Sequence, residues 1–520
     1  MRKNKNKILT NKIINELFFI LVISLIFSAN LYAQNVAVIN LDSTHQVIRG
    51  FGAANILQWR PDMTASEIET AFGTEDGQLG FTILRLMIEA DSDRWNLYVS
   101  TAKKAYDMGV TIIASPWYAP EEMVETVSGV SRVRYDMYDE YAAHLDSFNT
   151  YMTNNDVPMY AISVQNEPDW NGGWTQWTAD EMLTFMSENA SAIGTRVMAP
   201  ESFQFRRAMS DPILNDAVAC ANLDIVGGHI YGGGLAPYPL AESKEKEVWM
   251  TEYLINSGSP PANLDIDIGW TGALQTAQSI NDCMNANMSA YVWWYIVRYY
   301  GPIADGSYAT KGDVTKKGYV MSQFARFIRP GYLRVQCDDN PQSDVFASAY
   351  RDSTSSTVVI VAINTSSQTK NQTFVFQNGD VERLRPFVTS ETKNCSRGSS
   401  ISVINDSLDV TLDGESITTF VSGDIATVKV ENPVSFKLSQ NYPNPFNQST
   451  QINFEIPEKS FVSLKVHNLL GQEIEELAGK EYSAGGHSVI FDASHLASGI
   501  YFFTLRARDF TETRKMSIMR

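Results

Sequence analysis

Between about residue 46 and residue 328 the chain repeats one pattern eight times: a short apolar run of strand-like composition, then a longer stretch with helical spacing of apolar residues. The runs fall at 47–51, 81–87, 110–114, 159–164, 196–199, 223–226, 248–250 and 290–296. Eight such units in about 280 residues is the count and length of a closed (β/α)8 barrel. An open doubly wound sheet shows the same alternation, but it would place a glycine-rich phosphate loop after its first strand. No such loop follows residues 47–51.

The flanking segments have a different grain. Residues 329–421 read as short alternating strands separated by Ser, Thr, Asn and Gly, the pattern of a side β-sandwich, and residues 34–45 have the same character and are expected to join it. Residues 422–434 read as a linker, and 435–520 as a small all-β domain without a constellation of catalytic side chains. At the other end, Arg2, Lys3, Lys5 and Lys7 precede an apolar stretch too short for a comfortable membrane span, so residues 1–33 read as a signal peptide. Such a compartment permits disulfides; Cys337 with Cys395 is conceivable, whereas Cys220 and Cys283 fall in non-adjacent helical stretches. No cysteine pair has metal-ligand spacing, and no metal or organic cofactor is expected. A net charge of −18 disfavours nucleic acid and anionic membranes as partners, and an acidic substrate would need a local cation.

Glu167, in the string Gln-Asn-Glu-Pro, and Glu252, in Trp-Met-Thr-Glu, close the fourth and seventh apolar runs. In a parallel barrel both would project into the mouth where such folds place active sites. Two carboxylates facing one sugar bond are the minimum apparatus for glycoside hydrolysis: Glu167 suits the acid that protonates the leaving oxygen, Glu252 the nucleophile, and Asn166 a hydrogen bond to the sugar 2-hydroxyl. Glu201 also follows a strand-like run and Asp169 lies close to Glu167; both read as scaffold or rim residues. Trp59, Trp117, Trp170, Trp174, Trp177, Tyr231, Trp293, Trp294, Tyr299 and Tyr300 crowd the same strand ends, which suits platforms for the flat faces of sugars.

Together the strings Arg49-Gly-Phe-Gly52, Ala114-Ser-Pro-Trp117, Gln165-Asn-Glu-Pro-Asp169, Pro200-Glu-Ser-Phe-Gln204, Trp249-Met-Thr-Glu252, Tyr291-Val-Trp-Trp-Tyr-Ile296 and Lys317-Gly-Tyr319 resemble the bacterial glucuronoxylanase branch, subfamily 8, of glycoside hydrolase family 30. The resemblance implies a retaining endo-β-1,4-xylanase, with Glu167 as acid/base and Glu252 as nucleophile. Arg85 and Tyr231 match positions that steady the nucleophile, and Trp59, Trp117 and Trp294 match positions that line the subsite of cleavage. It further implies that Arg298, with Tyr300 and Ser257, receives a 4-O-methylglucuronic acid branch. Val297 and Leu254 depart from the branch, which often has a second arginine and a tyrosine there, so weaker glucuronate dependence is expected. The strings Asn441-Tyr-Pro-Asn-Pro-Phe446 and Ala497-Ser-Gly-Ile-Tyr501 resemble the C-terminal sorting domain of type IX secretion, which implies that machinery as a partner and a secreted or outer-membrane surface-attached monomer. Other sugar specificities of the same family, and a non-catalytic carbohydrate-binding surface protein, remain the alternatives that activity and product lengths separate.

Overall fold

A computed structural model describes residues 35–422 except Ser353, and residues 436–519 except 439, 442, 443, 445, 447, 448, 458, 459, 483, 484 and 509. The expected signal peptide, 1–33, and all but the first residue of the expected linker, 422–434, lie outside the described residues. The chain divides between residues 423 and 424 into two compact units.

In the first unit eight parallel strands close into a barrel in chain order: Gly50–Ala54, Ile83–Ile88, Thr111–Pro116, Ala161–Ser163, Arg196–Ser202, Ile225–His229, Glu247–Glu252 and Ala290–Tyr295. Closure sets Ala290 beside Gly50 and Tyr291 beside Phe51. Each apolar run of the sequence overlaps one strand, but the first is displaced. Val47 ends a twelve-residue strand, Val36–Val47, of the side sheet. The chain then changes partners within two residues: the Ile48 amide donates to Tyr332 O at 2.7 Å and the Arg49 amide to Ser289 O at 2.7 Å.

The barrel is filled by Ile83, Ile113, Ala161, Met198, Ile225, Trp249, Ala290 and Val292. Side chains alternate along a strand, so residues three past Met198 and Trp249 should point away from the barrel axis. Register irregularities at Pro200/Ser202 and Met250/Glu252 break that count just where Glu201 and Glu252 stand. A bulge of this kind re-aims a side chain, here toward the barrel mouth.

The expected side sandwich is built from one hydrogen-bonded sheet of ten strands, curled so that Ile39, Val345, Ile360, Phe374, Leu384 and Phe420 share one core. The reason is the length of Val36–Val47: it pairs parallel with Lys370–Gln377 along one edge and antiparallel with Leu333–Cys337 along the other, joining two halves that shorter strands would leave separate. This sheet is fastened to the barrel helices. Trp270 Nε1 donates to Glu415 O at 2.9 Å, Gln323 Nε2 to Thr389 Oγ1 at 2.7 Å, and Thr419 Oγ1 to Gln323 O at 2.8 Å.

In the second unit a three-stranded and a four-stranded antiparallel sheet enclose Leu438, Ile452, Phe454, Leu464, Phe491, Phe503 and Leu505. All four cysteines are free thiols, so Cys337 and Cys395 are not bridged. Among the described residues no helix is long and apolar enough to cross a membrane.

Candidate active site

The strand ends converge on a cleft of about 420 Å³ whose floor holds Glu167 and Glu252. Two aromatic walls rise from it. On one side Trp59, Trp117 and Trp294 have ring centres 5.7–6.2 Å apart. On the other, Trp170 stacks on Phe203 at 4.2 Å, and Phe203 on Tyr231 at 5.4 Å. Trp59 and Trp170 are 43% and 40% exposed, so their faces are open to a ligand. Trp177, Trp293 and Tyr299 belong elsewhere, contrary to their reading as platforms. Trp177 packs on Tyr138, Tyr141 and Phe185, Trp293 is fully buried, and Tyr299 donates to Gly258 O at 2.6 Å.

Arg85, fully buried on the second strand, organises the floor. Its Nη1 donates to Glu252 Oε2 at 2.7 Å, its Nη2 to Asn166 Oδ1 at 2.7 Å and its Nε to Ser115 Oγ at 3.2 Å. The same Nη2 lies 3.0 Å from Glu201 Oε1, and Trp117 covers the guanidinium at 4.7 Å. Tyr231 donates its hydroxyl to Glu252 Oε1 at 3.0 Å. Burial, then the charges of Glu252 and Glu167, push the Tyr231 pKa well up, so it stays a donor. Both Glu252 oxygens are thus held, while the Asn166 Nδ2, buried, has no protein partner and is free to meet a hydroxyl.

Glu167 sits in the left-handed backbone region at φ 44°, a conformation few non-glycine residues hold without function or constraint. Its amide donates to Glu201 O at 3.1 Å, which fixes the turn. Burial raises its pKa above the ordinary carboxylate value, against a lowering from His229 and with a further raise from Glu252. A carboxyl group whose pKa is raised in this way is favoured as a proton donor.

His229 was absent from the sequence reading. It closes the sixth strand, fully buried, with Nδ1 2.9 Å from Glu167 Oε1 and Nε2 3.7 Å from Glu201 Oε1. Burial would lower its pKa, but Glu252, Glu167 and Glu201 together overrule burial and raise it to about 9. Glycines precede it because a Cβ at Gly227 would come within 2.8 Å of Met198 and 3.0 Å of Glu201 Cγ, and one at Gly228 within 2.6 Å of the Phe205 ring. Glu201 is no rim residue: it is fully buried beneath the cleft. Asp169 is scaffold, accepting from Ser202 Oγ and the Phe203 amide.

One oxygen or nitrogen each of Glu167, His229 and Glu252 lie within 4.8 Å of one another, a spacing a metal ion could bridge. Arg85 already supplies a positive charge beside Glu252, and both Glu252 oxygens are engaged by Arg85 and Tyr231, so the trio suits proton transfer better than metal binding.

Arg298 and Tyr300 line one end of the cleft with Tyr295. The guanidinium lies 5.7–6.0 Å from the rings of Tyr295, Tyr299 and Tyr300, its Nε has no partner, and it makes no ion pair among the described residues. Ser257 does not line this cleft. Its hydroxyl donates to Asp267 Oδ2 and accepts from the Ala262 and Asn263 amides at 2.9 and 2.6 Å, so it is used up within its own loop.

Residues 440–519 match the family model described as the secretion system C-terminal sorting domain. Over 394 residues the chain is 44% identical to the glucuronoxylanase XynC of Bacillus subtilis (strain 168), covering 74% of this chain and 90% of that protein. The crystal structure of a glycoside hydrolase family 30 endoxylanase from Clostridium papyrosolvens C71 superposes with a TM-score of 0.68 at 41% identity, covering 74% of this chain and 99% of that one. The family 30 subfamily 8 xylanase Xyn30A from Clostridium acetobutylicum superposes with a TM-score of 0.67 at 36% identity, covering 75% and 99%.

Proposed function

Because the chain belongs to glycoside hydrolase family 30, subfamily 8, we propose that it is a xylanase that cuts glucuronoxylan with retention of configuration, using Glu252 as nucleophile and Glu167 as acid/base. Endo-xylanase activity and export through the sorting domain come with that membership and that domain. One observation bears most weight: Glu167 and Glu252 both line the cleft, with one carboxylate oxygen of each within 4.8 Å of the other. Retaining enzymes hold their two carboxyl groups about 5–5.5 Å apart, inverting ones about 6.5–9.5 Å.

In the first step the Glu252 carboxylate, held by Arg85 and Tyr231, attacks the anomeric carbon while Glu167 gives its proton to the departing glycosidic oxygen. The C1–O bond breaks and a glycosyl ester forms. In the second step Glu167, now ionised, takes a proton from water; the water oxygen bonds to C1 and Glu252 leaves as carboxylate. Asn166 Nδ2 offers a hydrogen bond to the 2-hydroxyl beside the reacting carbon. Proton NMR of the first product from a xylooligosaccharide should show the β-anomer before mutarotation; an initial α-anomer would overturn the role of Glu252.

Activity against pH should fall on the alkaline side as Glu167 loses its proton. Since burial raises that pKa, the midpoint of this limb is expected above the ordinary carboxylate value of 4.5.

At the cleft end, Arg298 is a cation without a carboxylate among the described residues, set among three tyrosines. A guanidinium grips a carboxylate by two parallel hydrogen bonds, so a glucuronic acid branch is the substituent this corner fits. With Ser257 engaged in its loop and Leu254 unable to hydrogen-bond through its side chain, the arginine stands with less help, and partial tolerance of unbranched xylan is expected. Arg298→Ala should raise KM for glucuronoxylan about ten- to hundredfold, the worth of a charged hydrogen bond. On xylan stripped of glucuronic acid it should match the wild type. Chromatography of the products checks both: oligomers each bearing one glucuronate at a fixed position should vanish with the variant, and an unchanged pattern would leave a general xylanase.

A further inference from the structure

Glu201 touches neither aromatic wall and lies beneath the reacting carboxylates. It is fully buried, with the arginine that holds the nucleophile on one side, 3.0 Å away, and the histidine that contacts the acid/base on the other, 3.7 Å away. It comes to this position with effort. The residue has φ 56° and sits within a register irregularity of its strand, and a Cβ at Gly227 would crowd both its Cγ and Met198. A buried carboxylate so placed is far costlier than an amide or an alkyl group unless its charge is used.

The charges beneath the cleft give it a use. With Glu167 protonated, the buried set is Arg85 and His229, both positive, against Glu201 and Glu252, both negative: the sum is zero. After the glycosyl ester forms, Glu252 is neutral and Glu167 is ionised, and with Glu201 unchanged the sum is again zero. We propose that Glu201 is a positioning residue, the fixed counter-ion that keeps the site electroneutral at both stages while negative charge passes between Glu252 and Glu167. Without it both stages would hold one uncompensated positive charge in a buried pocket, and His229 is the group able to shed it. The groups facing His229 are Glu167 from the fourth strand end, Glu201 from the fifth, Glu252 from the seventh and the Tyr231 ring 6.0 Å away; Glu201 itself faces Arg85, His229 and Ser115. Burial alone would raise the Glu201 pKa, but Arg85 and His229 hold it at about 2, so it stays ionised across the working range.

The inference rests on the two-stage mechanism proposed above, but its test reads the free enzyme. Histidine labelled with ¹⁵N reports the protonation of His229 in the wild type and in Glu201→Gln, which keeps shape and removes charge. His229→Gln identifies the signal. The wild-type ring should stay doubly protonated from pH 5 to pH 8, and its titration midpoint should fall by at least about one pH unit in Glu201→Gln. The pH profile of kcat should then gain an ionisation that is absent from the wild type and from the Glu201→Gln/His229→Gln double variant. A His229 midpoint unmoved by Glu201→Gln, or a wild-type His229 neutral at pH 7, overturns the proposal even if the variant folds poorly. Neither result bears on retention, which the product anomer decides separately.

Discussion

Glu252→Ala should lose about 10⁴-fold or more of xylan turnover, because it removes the group that forms the covalent bond while leaving the cleft intact. Azide supplies the missing nucleophile from the same face. With a glucuronate-bearing xylooligosaccharide carrying a good aryl leaving group, azide should restore turnover and give the α-glycosyl azide. Glu167→Ala should behave differently: its glycosyl ester still forms when the leaving group needs no proton, and azide attacking from the opposite face gives the β-glycosyl azide. Two variants with opposite azide stereochemistry would assign both roles at once. The same experiment excludes the nearest rival. Glu201 also stands at a strand end, but it is buried beneath the floor and bound by Arg85 and His229. If Glu201→Ala gave the α-azide and Glu252→Ala kept native turnover, the nucleophile would be Glu201.

The barrel was legible because each of its strands leaves an apolar run and the eight runs come in the order in which the strands close. Glu167 and Glu252 were legible for the same reason, each being the first charged residue after a run. His229 obeys the identical rule, yet it follows Gly227 and Gly228, which interrupt the apolar run and shorten it to the eye. Its signal was present: glycines late in a strand mark a close approach, and what approaches is Met198, Glu201 and Phe205. The depth of Glu201 was not legible, since alternation points it away from the axis and only the register irregularity brings it in. Which aromatics face the cleft was likewise beyond composition. Trp293 and Trp294 are neighbours in sequence, and one is fully buried while the other lines the cleft. That the side sandwich is one continuous curled sheet was not legible, because strand pattern carries no information on which edges join. The twelve-residue Val36–Val47 is what joins them.

Arg85→Leu should cost both the fold and the chemistry. Leucine fills much of the space and hydrogen-bonds to nothing, so Glu201 keeps His229 and Ser115 but loses its fixed cation, and Glu252 keeps only the Tyr231 hydroxyl. Removing one member of a buried charge network leaves uncompensated charge and typically costs about 3–5 kcal/mol. Thermal or denaturant unfolding of the first unit should show that loss, with a lowered midpoint. Turnover should fall further than stability alone accounts for at temperatures where the variant remains folded. Glu252 Oε2 loses its 2.7 Å donor, and Asn166 Oδ1 loses the contact that keeps its amide turned to the sugar. Arg85→Lys separates the two effects. An ammonium restores the charge but cannot reach Glu252, Asn166, Glu201 and Ser115 together as the planar fork does. It should recover most of the stability and little of the turnover. A lysine variant with native turnover would mean that charge alone holds the nucleophile; a leucine variant of native stability would mean that these carboxylates are neutral in the folded protein.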